Sequence, residues 1–96
     1  MILKPEQIIA ERRMTLNTGP GNTTEVKVAL SRPMKSANEA EYACSVQILG
    51  LGDEKTRSIY GVDSMQALQL ALRFASQMLE DHRKNLRWLG NEDIGF

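Results

Sequence analysis

The sequence predicts an α+β domain, namely a four-stranded, mainly antiparallel meander packed on one face by a single long C-terminal helix. Three observations predict this class. Segments with apolar residues at every second position occur in the first part of the chain. A long amphipathic segment without glycine or proline follows, and clusters of Gly, Pro, Asn and Ser separate the elements. The 96 residues fit one domain, which we predict over residues 1–96.

The first two strands are predicted to form a hairpin over residues 7–16 and 24–31. Residues 8–16 are apolar at both ends with charged residues between them, whereas residues 24–30 alternate, with Val26, Val28 and Leu30 on one face and Glu25 and Lys27 on the other. Such alternation is typical of a half-buried strand in an antiparallel sheet with one solvated face. We expect a loop at residues 17–22, because they are rich in Asn, Gly and Pro.

The third and fourth strands are predicted over residues 41–49 and 55–60. The first of these segments places Cys44 on its inner, apolar face and Gln47 on the face that points away. We therefore expect Cys44 to be a small buried residue rather than a reactive thiol. Residues 31–38, which are polar and contain a proline, predict a second loop.

The helix is predicted over residues 63–85. Asp63 is a suitable N-cap residue, and Gln66 three positions later gives a pattern similar to a capping box. The apolar positions of the helix and of the inner strand faces form the predicted core. Its members are Ile9, Val26, Val28, Leu30, Cys44, Val46, Ile48, Ile59, Leu68, Leu72, Ala75 and Leu79.

The apolar arc of this helix covers close to half of its circumference. A helix that lies on a sheet needs an apolar stripe of only somewhat over 100°. The surplus forms a helix flank made of Ala67, Leu70 and Phe74. We expect the last residues of the chain, residues 1–3 or a second protein chain to cover this flank, the last possibility giving a homodimer or larger homo-oligomer.

The C-terminal segment, residues 86–96, allows two interpretations. It could extend the helix to a C-cap at Gly90, or it could fold back in an extended conformation. The helical version would place Trp88 on the outer side of the helix. This consequence favours the version in which the segment folds back.

Twelve basic and twelve acidic residues give a formal net charge of zero, which excludes a strongly basic nucleic-acid-binding protein. The one basic cluster is Arg83, Lys84 and Arg87, at the predicted helix end, where cations compensate the helix dipole. A weak nucleic-acid contact is the alternative for this cluster. The sequence has no signal-peptide pattern and no apolar run long enough to span a membrane, so we expect a cytoplasmic protein that does not contact the membrane.

The residues needed for catalysis are scarce. One cysteine and one histidine, His82, provide neither a catalytic triad nor a zinc site, and the glycine pairs do not match a phosphate-binding loop. We therefore expect no catalytic residue, no metal and no cofactor, and we predict that the protein is not an enzyme.

Protein binding is the function that remains best supported. Tryptophan and arginine are enriched at binding hot spots, and the C-terminal segment surrounds an aromatic residue with charges. The alternative is that Trp88 and Phe96 cover the helix flank described above. A small-molecule-binding or enzymatic domain with a cleft near Tyr60 or Trp88 is a second possibility. The predicted partner-binding residues are Arg87, Trp88, Asn91, Glu92, Asp93 and Phe96.

Two stretches, YGVDSMQALQLAL and LRWLGNEDIGF, resemble a family of small uncharacterised bacterial proteins over most of the chain. Members of that family open with a strand similar to AERRMTL. The resemblance implies a compact α+β domain and carries no established activity. In size and shape the domain is also similar to bacterial immunity proteins, which neutralise secreted toxins.

Overall fold

The computed structural model describes residues 3–38, 40–52, 54 and 56–96 and confirms the α+β class, with an antiparallel sheet and one α-helix. Lys55, where we predicted that the fourth strand begins, lies outside these residues. A 3₁₀ helix at Pro5–Gln7 precedes the sheet. The remaining elements are β1 (Ile8–Gly19), β2 (Asn22–Ser31), β3 (Met34–Lys35), β4 (Tyr42–Leu49), β5 (Thr56–Gly61), α1 (Ser64–Leu79), a second 3₁₀ helix (Glu80–Asn85) and β6 (Leu86–Arg87).

The sheet has six strands rather than the four that we predicted. Strands β1, β2, β4 and β5 form the expected antiparallel meander. Strand β6 pairs with β1 on the edge opposite β2, whereas β3 pairs with Tyr42 and Ala43 of β4. Because β5 pairs with the same two residues, β3 lies on the edge of β4 that also carries β2. The two additional strands have two residues each, which is too short to show a periodic pattern.

The β1–β2 hairpin is longer than predicted, because its strands continue to Gly19 and Asn22. The loop is only Pro20–Gly21, and Gly21 has a φ of 73°. Proline followed by a glycine with positive φ is the pattern of a type II turn. The prediction of a loop over residues 17–22 was therefore wrong, since turn-forming residue types extend into both strand ends.

A bulge near the start of β1 changes the direction of Ile9. The register with β2 shifts between Ile8 and Ala10, so that Ala10 pairs with Leu30. A bulge leaves its extra residue unpaired and turns it out of the regular alternation. Ile9 is 52% exposed, and its predicted place in the core was wrong.

Helix α1 begins as predicted and ends earlier. The Asp63 carboxylate accepts a hydrogen bond from the Gln66 backbone N–H at 2.7 Å, and Gln66 Oε1 accepts one from the Val62 N–H at 2.7 Å. The α-helix stops at Leu79, and the rest of the predicted helix is the 3₁₀ helix. None of the described helices has the length and apolar character needed to cross a bilayer.

Small residues hold α1 close to the sheet. The helix contacts β4 and β5, and it buries one row of side chains at intervals of four residues. A Cβ on Gly61 would overlap the backbone nitrogen of Ala67 and lie 2.8 Å from its Cα, so only glycine permits this approach. Leu72 falls beside the row and is 43% exposed, so its predicted place in the core was wrong. The buried row is Ala67, Ala71, Ala75 and Leu79.

The core extends further along the sheet than predicted. Cys44 is buried, as expected, and its thiol donates a hydrogen bond to the Ser31 carbonyl oxygen at 3.2 Å. Desolvation by burial raises the pKa of the Cys44 thiol, and the side chain of Ser31 partly opposes this shift. The buried core residues are Met14, Leu16, Val26, Val28, Leu30, Cys44, Val46, Ile48, Ala67, Ala71, Ala75, Leu79, Leu86 and Ile94.

The face of the sheet opposite α1 is partly shielded from solvent. Gln47, which we predicted to face away from the core, is 1% exposed, and its Nε2 lies 3.5 Å from Thr56 Oγ1. Leu3 is also buried and lines a cavity on this side together with Ser31 and Ser45. The N-terminal residues therefore give this face a partial second layer.

Candidate interaction site

The C-terminal segment folds back onto β1. Thr15 pairs with Arg87 and Leu16 pairs with Leu86 in an antiparallel ladder. Leu86 and the distant Ile94 are both buried in the core. The fold-back interpretation is confirmed, and the alternative helix with a C-cap at Gly90 is wrong.

Arg12 on β1 fixes the far end of this segment. Its guanidinium carbon lies 3.7 Å from the centroid of the Trp88 ring and 5.2 Å from that of Phe96. Its Nη1 donates a hydrogen bond to the Ile94 carbonyl oxygen at 3.0 Å. Gly95 has a φ of 79°, and a Cβ there would overlap the Arg12 guanidinium. The two predicted aromatic residues therefore hold an arginine within the molecule, and sequence reasoning missed that arginine.

The basic cluster at the helix end is also engaged within the chain. Arg83 Nη2 donates to the Phe96 carbonyl oxygen at 2.8 Å and to Ser76 Oγ at 2.7 Å. Arg87 Nη1 donates to the Leu86 carbonyl oxygen at 2.8 Å and to the Lys84 carbonyl oxygen at 3.1 Å. Two of the three cations that we considered for nucleic-acid contact thus bind backbone oxygens.

A tight turn interrupts the segment between Trp88 and Asn91. The Trp88 N–H donates to the Asn91 carbonyl oxygen at 3.0 Å, and the Asn91 N–H donates to the Trp88 carbonyl oxygen at 2.8 Å. The two residues between them, Leu89 and Gly90, have φ values of 51° and 80°. Positive φ at both central residues is the mark of a type I′ turn, which prefers Asn-Gly. Leu89 is 82% exposed.

The predicted partner-binding residues divide into two groups around this turn. Trp88 and Phe96 pack against the core, while Arg87 is half-buried and lies 3.8 Å from Glu92. Leu89, which sequence reasoning missed, is the large apolar residue at the tip. The only available signal was the Leu-Gly pair, which the helical alternative places at a helix C-cap. The outward group is Asn91, Glu92 and Asp93.

A separate groove lies between α1 and the C-terminal segment. Its volume is about 510 Å³, and Val28 and Leu30 of β2 line it together with Leu72 and Arg73 of α1. Phe96 lines the groove at the C-terminal side, whereas neither Trp88 nor Tyr60 does. This groove is therefore not the cleft that we predicted near Tyr60 or Trp88.

The three residues of the predicted helix flank lie in different environments in the structure. Ala67 is buried against the sheet, whereas Leu70 and Phe74 are half-buried. At about 100° per residue, these two point to the opposite side of the helix from Leu72, which faces the groove. The C-terminal segment covers the groove side, so it does not cover Leu70.

Comparison with known protein families matches residues 10–96 to the family described as "Domain of unknown function (DUF6968)". The chain belongs to the DUF6968 family. The DUF6968 match includes Arg12, α1 and the whole C-terminal segment, and it confirms the resemblance to an uncharacterised family. Its description carries no activity, bacterial origin or toxin-immunity role. No curated protein and no solved structure matches the chain.

Proposed function

We propose that this DUF6968 chain is a non-catalytic protein-interaction domain and that its C-terminal segment presents Leu89 to a protein partner. One observation carries the proposal, namely that Leu89 is both 82% exposed and held at a φ of 51°. A left-handed conformation costs a residue with a Cβ about 1–2 kcal/mol. Packing within the described residues does not compensate this cost, because most of the leucine side chain faces outward.

A protein partner with an apolar pocket would bury the exposed Leu89 side chain and so offset the cost of its left-handed conformation. Burying a leucine side chain fully contributes about 1.5–3 kcal/mol relative to leaving it exposed. The exposed polar residues beside the turn, Asn91, Glu92 and Asp93, would form the rim that typically surrounds such a contact.

The turn is also held rigidly. Arg12, Arg83 and Arg87 each bind a backbone oxygen of the C-terminal segment, and Leu86 and Ile94 are buried on either side of the turn. A preorganised contact loses little conformational entropy when it binds. This rigidity supports a recognition role for the turn.

Comparative affinity capture tests the proposal. The baits are the wild type, Leu89→Asn and the control Met65→Asn, which removes an exposed apolar side chain of α1. We expect a partner that the wild type and the control retain and that Leu89→Asn loses. With the purified partner, the loss should be about 10-fold or more in Kd. A partner bound equally by all three proteins contradicts the proposed site, and so does the lack of any specific partner.

A toxin-immunity role is the narrower form of this proposal. In that case the protein is bacterial and cytoplasmic, and the partner is a secreted toxin. The size of the domain, 96 residues, is what suggests this form. Co-expression with a toxin encoded by a neighbouring gene should restore growth with the wild type and fail with Leu89→Asn. The narrower form is wrong if the wild type gives no protection.

Small-molecule binding in the groove is a second candidate function. The groove volume of about 510 Å³ lies within the usual range for ligand pockets, and apolar side chains of β2 line it. Arg73 and Ser76 provide polar groups on the helix side. An NMR titration with apolar carboxylates should shift the Ala10 and Leu72 resonances if the groove binds such molecules. Unchanged resonances would exclude this function.

A further inference from the structure

The two edges of the sheet differ in how they are protected. On the β1 edge, β6 pairs with Thr15 and Leu16, and the open part carries the consecutive charged residues Glu11, Arg12 and Arg13 and a bulge. Paired strands, charges and bulges are the devices that prevent edge strands from joining other sheets. The β1 edge is therefore blocked against a second chain.

Among the residues that the structure describes, the β5 edge has fewer of these devices. Within the described residues, β5 pairs only with β4, in a continuous register from Gly61 to Thr56. The strand contains no proline and only one charged residue, Arg57, and exposed apolar side chains stand at its end, at Tyr60 and Val62. This edge is therefore open to pairing with another strand.

The side of α1 above this edge is apolar as well. Helix α1 contacts β4 and β5, and the flank that faces away from the groove carries Leu70 and Phe74. Gln66 and Gln77 lie beside them at helical spacing, and the charged residue nearest to them, Arg73, points away from the sheet on the outer surface of the helix. An open strand edge and an apolar helix flank thus lie side by side.

We propose that two copies of this chain form a symmetric dimer by antiparallel pairing of their β5 strands. A two-fold axis perpendicular to the sheet places both helices on the same face, and residues of the same face then pair across the axis. With the axis at Ser58, Arg57 lies opposite Ile59 and Thr56 lies opposite Tyr60. No two like charges stand directly opposite each other in this register.

The spacing of the helices fits this arrangement. Strands in a sheet lie about 4.8 Å apart, and each α1 lies over its own β4 and β5. The two helix axes would then be about 10 Å apart, twice the strand spacing, which agrees with the 8–10 Å of packed helices. Leu70 and Phe74 of each copy fill the space between them, so a second copy is the occupant that this surface fits.

Light scattering coupled to size exclusion tests the dimer. The wild type should have twice the chain mass of 10.8 kDa. Leu70→Glu should give the monomer mass, while the matched control Leu72→Glu, on the opposite flank of the same helix, should stay dimeric. A monomeric wild type at about 100 μM overturns the proposal, as does dissociation of the Leu72→Glu variant together with a dimeric Leu70→Glu variant.

A cross-link keeps the test decisive if Leu70→Glu fails to fold. Ser58→Cys places two cysteines opposite each other at the axis, within the 4.4–6.8 Å between Cα atoms that a disulfide requires. Mild oxidation should link this variant as a dimer and leave Gln69→Cys, on the groove side of α1, unlinked. A Ser58→Cys variant that forms no linked dimer overturns the pairing. Neither result affects the proposed role of Leu89, which lies next to β6 at the opposite edge of the sheet.

Discussion

Replacing Leu89 with asparagine should stabilise the protein, although it removes a large apolar side chain. Asparagine tolerates the left-handed conformation, and Asn-Gly is the preferred pair for a type I′ turn, so the cost of about 1–2 kcal/mol at Leu89 should largely disappear. Because Leu89 is 82% exposed, the lost packing is about one fifth of a buried leucine, or about 0.3–0.6 kcal/mol. The net gain is about 1 kcal/mol.

Thermal unfolding measures this gain. For a domain of this size, 1 kcal/mol shifts the Tm by about 4–8 °C, and we expect Leu89→Asn to raise it by that amount. Leu89→Ala is the matched control, because it loses the same packing but lacks the short polar side chain that lets asparagine tolerate a positive φ, so its Tm should not rise. A Leu89→Asn protein that is no more stable than the wild type would refute the claim that Leu89 is strained.

Four further substitutions, one of them a control, test the packing around the sheet. Gly61→Ala should destabilise the fold by at least about 1–3 kcal/mol in urea unfolding, because its Cβ meets helix backbone. Gly19→Ala, which has room, should stay near neutral. Arg12→Lys should cost about 2 kcal/mol despite the retained charge, since lysine has no planar group to stack between two rings. A wild-type-like urea midpoint for either Gly61→Ala or Arg12→Lys would contradict its assigned contact. Burial raises the pKa of the Cys44 thiol in the folded state. The stability that the protonated thiol contributes to the fold is therefore fully present below the unfolded thiol pKa of about 8.5 and is lost as the pH rises through the folded-state pKa. The stability difference between the wild type and Cys44→Ala should therefore shrink above that pH, and a constant difference would be the opposite result.

The meander and the helix could be predicted because their signals are local. Alternation in β2 and β4, and the Asp63 N-cap with its spacing to Gln66, depend on neighbouring residues only. The bulge at Ile9 and the orientation of α1, which turns its alanines toward the sheet, depend on contacts with residues elsewhere in the chain. Neither leaves a local pattern, which explains the errors at Ile9 and Leu72.

The candidate site was only partly predictable for the same reason. The sequence marks Trp88 and Phe96 as notable aromatics, but their direction is set by Arg12, whose bond to Ile94 spans 82 positions. Leu89 gained its importance only when the turn geometry was known. Residue types therefore pointed to this segment as the candidate site, while the fold determined which of its side chains face outward.

The central claim is that the C-terminal segment folds back over β1 and is fixed there by Arg12, so that its turn presents Leu89. The NMR chemical shifts of the Arg12 side chain test this claim most directly, because the guanidinium carbon lies 3.7 Å from the Trp88 ring centroid. We expect its Hδ and Hε protons to move strongly upfield by ring current and to return in Trp88→Leu. Random-coil shifts for Arg12 in the wild type would contradict the account.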